Sequence, residues 1–415
     1  MLKMAFRNIS RNRRRSFLTA MSLAVAAFVV VAAKSYIDGT VNSMLDAYAR
    51  LQYGHVMIAT TEYFERQIFL PVDVFIDDPQ EVIEAVLRGD GRDGRPTDGR
   101  PTDRCPTVVP RIRFGGMVSR GDTTLPVFVM ALNPADAEWL LDIEDDVIDG
   151  SADLSCGILI GKDLAKSLGV KAGDTLILLA KTSEGGLGGA KLPIEGIVEF
   201  GFSQYDRRFM LMNLSRAQKL LRMGNGVTEI LVFLKKPKDA DDFVRNLKLP
   251  QGVEARSLNE LLGPIAAMLR FTDIFYALFF GFLVALAAFA IVNTMTVAVF
   301  ERMREIGTLK AIGMTDNEIF ELFTLEGALL GLAGGLTGSA LGYGLAAILA
   351  KHGINYSSML KNVSLPIPYV IYPKLDIGTV LFALILVLMM SVLAAAVPSW
   401  SARKLTPAEA LRVEG

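Results

Sequence analysis

The stretch IFYALFFGFLVALAAFAIVNTMTVAVF, residues 274–300, decides the fold of this chain of 415 residues. It carries no charge, and it exceeds the roughly 20 apolar residues that a helix needs to cross the hydrocarbon core of a bilayer. Three further uncharged stretches, at residues 17–33, 327–350 and 377–402, are also membrane-span candidates, because the length needed ranges from about 17 to about 25 residues. The sequence therefore predicts an α-helical membrane protein with four transmembrane helices.

A long polar region, residues 34–273, separates the first apolar stretch from the second and has room for a folded domain. Short segments rich in Val, Ile, Leu and Phe alternate there with amphipathic segments, and Gly, Pro or Asp bound them. We predict a large extracytoplasmic α+β domain. Its strands are expected at residues 56–58, 72–76, 125–131, 158–160, 175–179, 194–200, 209–212 and 230–234, and its helices at residues 79–87, 134–141, 162–168, 215–221 and 240–247.

The placement of basic residues predicts the orientation. Residues 1–16 hold six Lys or Arg side chains and no acid, and basic residues beside a span stay cytoplasmic. Both termini are therefore expected in the cytoplasm. Residues 1–15 mix basic and apolar side chains, which is typical of an interfacial helix on anionic lipid. A cleaved signal peptide is the alternative for the first stretch, but no small-residue cleavage site follows it.

These observations divide the chain into segments. We expect an interfacial helix at 1–15, the first transmembrane helix and a stalk at 16–50, the extracytoplasmic domain at 51–256 with an inserted subdomain near 136–227, a second stalk and transmembrane helix at 257–300, a cytoplasmic hairpin at 301–321, the third transmembrane helix at 322–350, an extracytoplasmic loop at 351–376, the fourth transmembrane helix at 377–402 and a cytoplasmic tail at 403–415. Residues 89–104 contain a tandem Asp-Gly-Arg-Pro-Thr repeat without apolar side chains, so a disordered loop is expected there.

Composition excludes several classes of function. The net charge of −1 implies no nucleic-acid partner. The two histidines, His55 and His352, lie too far apart for metal-ligand spacing, and no nucleophile–base pair supports a catalytic outer domain. The chain is expected to bind no cofactor. An oxidising compartment would permit a disulfide between Cys105 and Cys156, and the sequence leaves that pairing open.

Two apolar stripes flank the large domain. Ser257 and Glu260 form a capping box before the second stripe, which predicts that a helix begins there. The stripes either bury against each other or, in an assembly of two subunits, enclose an apolar substrate chamber above the outer leaflet. The first stripe holds Ile37, Val41, Met44 and Tyr48, and the second holds Leu261, Leu262, Ile265 and Met268.

The most informative motif is ERMREIGTLKAIGMT at residues 301–315. Gly313 is expected to end one helix, and Thr315 with Glu318 to cap the next. This gives a short helical hairpin between the second and third spans. Charge pairs within the motif are loosely placed, so we do not assign it a salt-bridge role.

This motif resembles the cytoplasmic loop of the MacB/FtsX-like ABC permease superfamily. Glu326-Gly327 before the glycine-rich third span, residues 402–412 and residues 5–8 are similar to other parts of that superfamily. Residues 54–58 and 209–221 resemble its lipoprotein-releasing LolC/LolE branch most. The matching residues of the hairpin are Arg302, Glu305, Ile306, Gly307, Lys310, Ala311, Ile312 and Gly313.

The resemblance implies a non-catalytic permease subunit in a bacterial inner (cytoplasmic) membrane. Because the chain has no Gly-x-x-x-x-Gly-Lys-Ser/Thr motif, ATP and Mg²⁺ would be bound by a separate cytoplasmic ABC ATPase dimer. A second permease copy or a paralogue would complete the complex. The implied substrate is a lipoprotein in the outer leaflet, with a periplasmic chaperone or adaptor as a further partner. Drug or peptide export through an adaptor and regulation of cell-wall hydrolases are the alternatives.

The resemblance also assigns roles to residues. ATPase coupling is expected from Arg302, Glu305, Ile306, Gly307, Lys310, Ala311 and Gly313.

The third span carries two rows of glycines at four-residue spacing, Gly327, Gly331 and Gly335 in one and Gly334, Gly338 and Gly342 in the other. Small residues on one helix face allow close helix packing in membranes. The rows predict either packing within the chain or a contact between two permease subunits.

Overall fold

The computed structural model describes residues 1–89, 106–141, 143–360 and 368–403. By its internal contacts the chain divides into two units. We call Met1–Val41, Met268–Ile354 and Ile371–Gly415 the membrane unit, and Asn42–Ala267 with Asn355–Val370 the sheet domain. Cys105, the repeat at 93–102 and the tail at 404–415 lie outside the described residues, so the disulfide and the disordered loop stay predictions. Cys156 is exposed.

Helices form much of the chain. In order, they are α1 (Leu2–Arg11), α2 (Arg13–Tyr48), α3 (Thr61–Arg66), α4 (Pro79–Gly89), α5 (Pro134–Leu141), α6 (Lys162–Leu168), α7 (Ser203–Arg208), α8 (Leu214–Leu221), α9 (Ala240–Asn246), α10 (Leu258–Leu261), α11 (Gly263–Glu301), α12 (Met303–Ala311), α13 (Asp316–His352), α14 (Ser357–Leu360) and α15 (Ile377–Arg403). A π-helical turn, Ala49–Tyr53, follows α2.

In the described part of the chain, four helices are long and apolar enough to cross a membrane, as the sequence predicted. They span Arg13–Tyr53, Phe271–Glu301, Asp316–His352 and Ile377–Arg403. Ser257 caps α10 as predicted, because its hydroxyl accepts a hydrogen bond from the Glu260 backbone N–H at 3.3 Å. The predicted continuous helix from that cap is interrupted, since α10 ends at Leu261 and α11 starts at Gly263.

Twelve strands are present among the described residues. They are β1 (Val56–Thr60), β2 (Thr107–Arg120), β3 (Thr123–Leu132), β4 (Val147–Gly150), β5 (Ile158–Gly161), β6 (Thr175–Lys181), β7 (Leu187–Val198), β8 (Phe209–Asn213), β9 (Glu229–Phe233), β10 (Val253–Ser257), β11 (Ile354–Asn355) and β12 (Val370–Ile371). The first ten belong to one sheet.

That sheet closes on itself through β2. One edge of β2 pairs with β3 and the other with β6, and the ring continues through β8, β5 and β7. The first residues of β2 pair instead with β9, which leads to β1 and β10. Side chains alternate across these strands. Val56 and Ile58 enter one core cluster, whereas Met57 and Ala59 enter a second, so both faces of β1 are buried.

One predicted strand of the sheet domain was wrong, and the long strand β2 was not predicted. Residues 72–76 form no strand, and only Ile76 makes a single bridge, to Val227. The sequence did not indicate β2, because its apolar alternation is interrupted by Pro110, Arg111, Arg113 and the Gly115-Gly116 pair. The helices predicted at 134–141 and 162–168 are confirmed at both ends.

The glycine rows of α13 are faces that pack within the chain. A Cβ atom added to Gly334 would lie 2.6 Å from the Ala20 carbonyl oxygen, and one added to Gly342 would lie 2.9 Å from the Phe28 carbonyl oxygen. Both oxygens belong to α2. On the other row, a Cβ at Gly335 would lie 2.9 Å from Leu384 Cδ1 of α15. The glycines therefore let α13 lie directly against two helices of its own chain.

Candidate functional site

The predicted hairpin forms between α11 and α13 in the membrane unit. Arg302 separates α11 from α12 with non-helical angles of φ −106° and ψ 14°. Gly313 follows α12 with φ +110°, a conformation that side chains disfavour. The Thr315 hydroxyl accepts from the Glu318 backbone N–H at 3.4 Å, and the Glu318 carboxylate accepts from the Thr315 backbone N–H at 2.8 Å. The predicted capping box is thus confirmed.

Arg302 lies at the buried base of the hairpin. Its Nη1 donates to Glu326 Oε1 on α13 at 3.3 Å, and its Nη2 donates to the Asn8 carbonyl oxygen on α1 at 3.2 Å. The Asn8 side-chain amide also donates to Glu326 Oε1. A guanidinium suits this position because its planar fork can serve two acceptors at once. One buried cluster therefore joins α1, α13 and the start of α12.

Further ion pairs join the hairpin to residues outside the motif, whereas the sequence-based expectation concerned only charge pairs within it. Glu301 accepts from Arg15 at 2.9 Å, and Glu305 pairs with Arg11. Lys310 Nζ lies 2.6 Å from Asp316 Oδ1 and donates to the Arg403 carbonyl oxygen at 2.6 Å. The partners of both glutamates are basic residues near the N-terminus. Because they are distant in sequence, the motif alone could not predict these pairs.

The inner face of α12 is apolar. Ile306 and Gly307 are buried. Ile306 packs in a cluster with Val299, Ile319, Phe323 and Ala402. This cluster joins α11, α12, α13 and α15. The position of the hairpin is therefore set by packing as well as by charge.

The apex of the hairpin is exposed. Ala311, Ile312 and Gly313 are all exposed, and the Ile312 side chain shows 80% of its surface. Thr308 is exposed one turn earlier. Ile312 is thus a large apolar side chain exposed at the apex, above an anchored base.

The structure divides the predicted coupling residues into two groups. Arg302, Ile306, Gly307 and Lys310 anchor the hairpin, whereas Glu305, Ala311 and Gly313 are exposed. Sequence reasoning did not identify Asn8, Glu326 or Ile312 as functional residues. A signal for Glu326 was available, because an acid at the start of an apolar span needs a partner. Asn8 was marked only by the similarity of residues 5–8 to the superfamily.

The predicted chamber residues lie in different surroundings. Leu262 is only 2% exposed, so its side chain is not available to a substrate in this structure. Met268 is 71% exposed. Leu261 packs against the second core cluster of the sheet domain, and Ile37 packs against the helix core of the membrane unit. Val41, Met44, Tyr48 and Ile265 are half-buried.

A second buried ionic cluster lies in the sheet domain. Arg111 and Glu229 are fully buried and face each other across β2 and β9. Arg113 Nη2 donates to Glu229 Oε2 at 3.0 Å. Arg111 also donates to the carbonyl oxygens of Leu51, at 3.1 Å, and Gln52. It thereby fixes the π-helical turn that follows α2.

Asp206 is a buried acid of the sheet domain, and Tyr369 of the same domain lies beside it. Burial raises the pKa of Asp206 to about 6, although the Phe200 backbone N–H, the Tyr369 hydroxyl and Lys162 oppose that shift. Lys162 Nζ also lies over the Tyr369 ring at 5.1 Å from its centre. Among the residues that the structure describes, no group of three His, Cys, Asp or Glu side chains could hold a metal ion.

The described chain has four membrane-capable helices, a large α+β domain of the extracytoplasmic type inserted after the first of them, and an anchored hairpin. This combination defines a transporter permease. The family model of the MacB-like periplasmic core domain matches residues 16–248, and that of the FtsX-like permease C-terminal region matches residues 277–407. The chain belongs to the MacB/FtsX-like family of ABC transporter permeases.

Individual relatives agree with this assignment. The lipoprotein-releasing system transmembrane protein LolC of Xylella fastidiosa (strain 9a5c) is 27% identical over 270 residues, which cover 62% of this chain and 65% of that protein. LolE of Haemophilus influenzae is 26% identical over 61% of this chain and 64% of that protein. The uncharacterized permease YknZ of Bacillus subtilis is 34% identical over 32% of this chain and 30% of that protein. The chain thus matches a little under two thirds of the length of the Lol relatives.

Among solved structures, the extracellular domain of the YknZ transporter from Gram-positive bacteria is similar to 49% of this chain and 99% of that domain. The TM-score is 0.30 and the sequence identity is 13%. A similarity of this size carries no argument about function.

Proposed function

We propose that this chain is a force-transmitting permease subunit of an ABC transporter, and that it extracts lipoproteins from the outer leaflet of the inner membrane. The observation that carries the proposal is the hairpin, which has a buried, ion-paired base and an exposed apolar apex. A separate ATPase contacts the apex. Its closure moves a rigid element joined to α1, α11, α13 and α15, and the spans transmit that movement to the sheet domain.

The basic residues support the orientation that this mechanism needs. Those of α1 and of the first turn of α2 favour a cytoplasmic N-terminus. The residues that pair with the hairpin, Arg11 and Arg15, belong to this group, so the hairpin is on the same side as the ATPase. The sheet domain is then periplasmic. Two copies of the chain, or one copy and a paralogue, bind an ATPase dimer that holds ATP and Mg²⁺.

The substrate assignment is supported by the relatives whose names describe a lipoprotein-releasing system. Apolar side chains near the outer leaflet would accept acyl chains, and each buried methylene contributes about 0.8 kcal/mol. Met268 is well exposed and Met44 is partly exposed, so both can contact a lipid anchor. A periplasmic chaperone or adaptor would receive the released substrate.

The docking proposal is tested with a matched pair of substitutions. Ile312→Asp places a charge at the apex, and we expect the affinity for the copurifying ATPase to fall by roughly tenfold or more, as for a central interface residue. Ile68→Asp is the control, because Ile68 is 87% exposed and belongs to the sheet domain. Binding is measured with purified full-length permease in nanodiscs. Equal affinities for both variants would contradict docking at the hairpin.

The substrate proposal is tested with photo-crosslinking residues at Met44 and Met268. We expect both to capture an acylated lipoprotein in proteoliposomes, and we expect ATP to remove the crosslink. A crosslinker at the buried Leu262 is the control and should capture none. Capture of a drug-like or peptide substrate, or of a cell-wall hydrolase complex, in place of the lipoprotein would contradict lipoprotein release and favour the corresponding alternative.

A further inference from the structure

We propose that α1 is a positioning element for the hairpin, and that Asn8 and Glu326 are positioning residues that set the angle of α12 through Arg302. This inference rests on the proposed function. It assigns a role in coupling to a helix outside the hairpin and to an acid of the third span.

Arg302 connects the second transmembrane helix to the hairpin helix. It is the one residue between α11 and α12, and its backbone has left the helical region. A single hinge residue therefore connects α12 to α11. The guanidinium of that hinge residue is held by Glu326 and by the Asn8 carbonyl oxygen, so rotation about the hinge must break or move these hydrogen bonds.

Asn8 of α1 contacts both Arg302 and Glu326. Its side-chain amide donates to the same Glu326 oxygen that Arg302 contacts, and its carbonyl oxygen accepts from Arg302. Asn8 is thus bound to both members of the pair. Ala5, one turn earlier in α1, is fully buried, which keeps the helix close to its neighbours. Turning of the hairpin about Arg302 would therefore break or shift its hydrogen bond to α1.

The buried and the exposed ion pairs around the hairpin differ in how much they contribute to stability. The other contacts between the N-terminus and the hairpin, Arg11–Glu305 and Arg15–Glu301, involve exposed glutamates, and exposed ion pairs contribute little to stability. Arg302 and Glu326 are both buried, and removal of one partner from a buried pair leaves an uncompensated charge. Among the polar contacts between the N-terminus and the hairpin, the buried cluster is therefore the one expected to contribute most to the position of the hairpin.

The experiment uses the full-length permease with its copurifying ATPase in proteoliposomes. We expect Glu326→Gln to reduce coupled ATP hydrolysis roughly tenfold, within the range of ordinary coupling effects, while ATPase affinity stays within about twofold. Asn8→Ala should reduce hydrolysis by a smaller factor and gives a second test outside the membrane spans. Glu321→Gln is the control, because Glu321 is an exposed acid of the same helix.

A distance measurement separates positioning from loss of structure. Spin labels at Ser10→Cys on α1 and Thr308→Cys on α12, with both native cysteines replaced by Ser, should give a narrow distance distribution in the parent protein. We expect Glu326→Gln and Asn8→Ala to broaden it. Unchanged hydrolysis in both variants, or reduced hydrolysis with an unchanged narrow distribution, would overturn the inference. Failure of the Ile312 test would instead overturn the docking proposal, so the two failures are distinguishable.

Discussion

The two structural units each bury an arginine–glutamate cluster, and the clusters are built differently. In the sheet domain, Arg111 and Glu229 are opposite partners in the ladder between β2 and β9, and two carbonyl oxygens accept from the same guanidinium. In the membrane unit, Arg302 lies between α11 and α12, Glu326 lies on α13 at 3.3 Å from it, and Asn8 lies on α1. The first pair is fixed by strand register, whereas the second depends on how three helices pack.

This difference shows how the same chemistry serves two purposes. A cluster whose members are already fixed by backbone pairing cannot rearrange without unfolding the sheet. A cluster that joins separate helices can change when one helix moves, because no backbone ladder connects its members. We therefore assign the sheet cluster to stability and the membrane cluster to the transmission of movement. The predictions below test that assignment, from the largest expected effect on folding to the smallest.

Removal of the anion from the sheet cluster should have the largest effect. Glu229→Gln leaves Arg111 buried without its counter-charge, and we expect the free energy of unfolding of the sheet domain to fall by about 3–5 kcal/mol. Trp139 reports the transition in full-length protein, since its ring lies against Phe233 of β9 at 5.1 Å. The exposed Glu62, which pairs with Arg66, gives the control Glu62→Gln, with a loss of at most about 1 kcal/mol. Equal losses in the two variants would refute a stabilising role for the cluster.

Asp206 sharpens the comparison, because it is a buried acid whose ion pair with a lysine is long. Its Oδ2 lies 3.9 Å from Lys162 Nζ, and its pKa is about 6, above the ordinary 3.8. The folded state thus favours the protonated acid. The resulting stability is complete below the ordinary pKa and disappears as the pH rises through the folded value.

The Asp206 contribution should therefore decrease by about 1 kcal/mol between about pH 5 and about pH 7. We expect Asp206→Asn to remove this part of the pH dependence, because asparagine does not titrate. Unfolding of both proteins at the two pH values, again followed through Trp139, gives the difference directly. The same pH dependence in wild type and variant would show that Asp206 does not titrate in this range.

The sequence predicted the parts of the fold that depend on local pattern. Uncharged runs identified the four spans, and the Ser257 and Thr315 caps were found because their partners lie three residues away. The hairpin was outlined for the same reason, since Gly313 and Thr315 mark its ends. These features need only neighbouring residues to specify them.

The sequence did not predict features that depend on distant partners. The strand β2 carries Arg111 and Arg113, which look exposed until Glu229 of β9 lies beside them. The ring closure through β2 likewise depends on pairings between strands far apart in the chain. In the hairpin, the split between anchored and exposed residues depends on Asn8 and on Arg11, about three hundred residues away. The local sequence pattern predicted the hairpin, but only the folded chain shows which of its residues are exposed.

The central claim is that the ATPase docks on the apex of the hairpin, and one crosslinking measurement tests it most directly. A photo-crosslinking residue at Ile312 is compared with one at Ile68, two isoleucines that are 80% and 87% exposed and belong to different units. We predict that the complex in its native membrane yields a permease–ATPase crosslink from position 312 and none from position 68. An ATPase crosslink from position 68, or none from position 312 in a complex that hydrolyses ATP, would contradict the account.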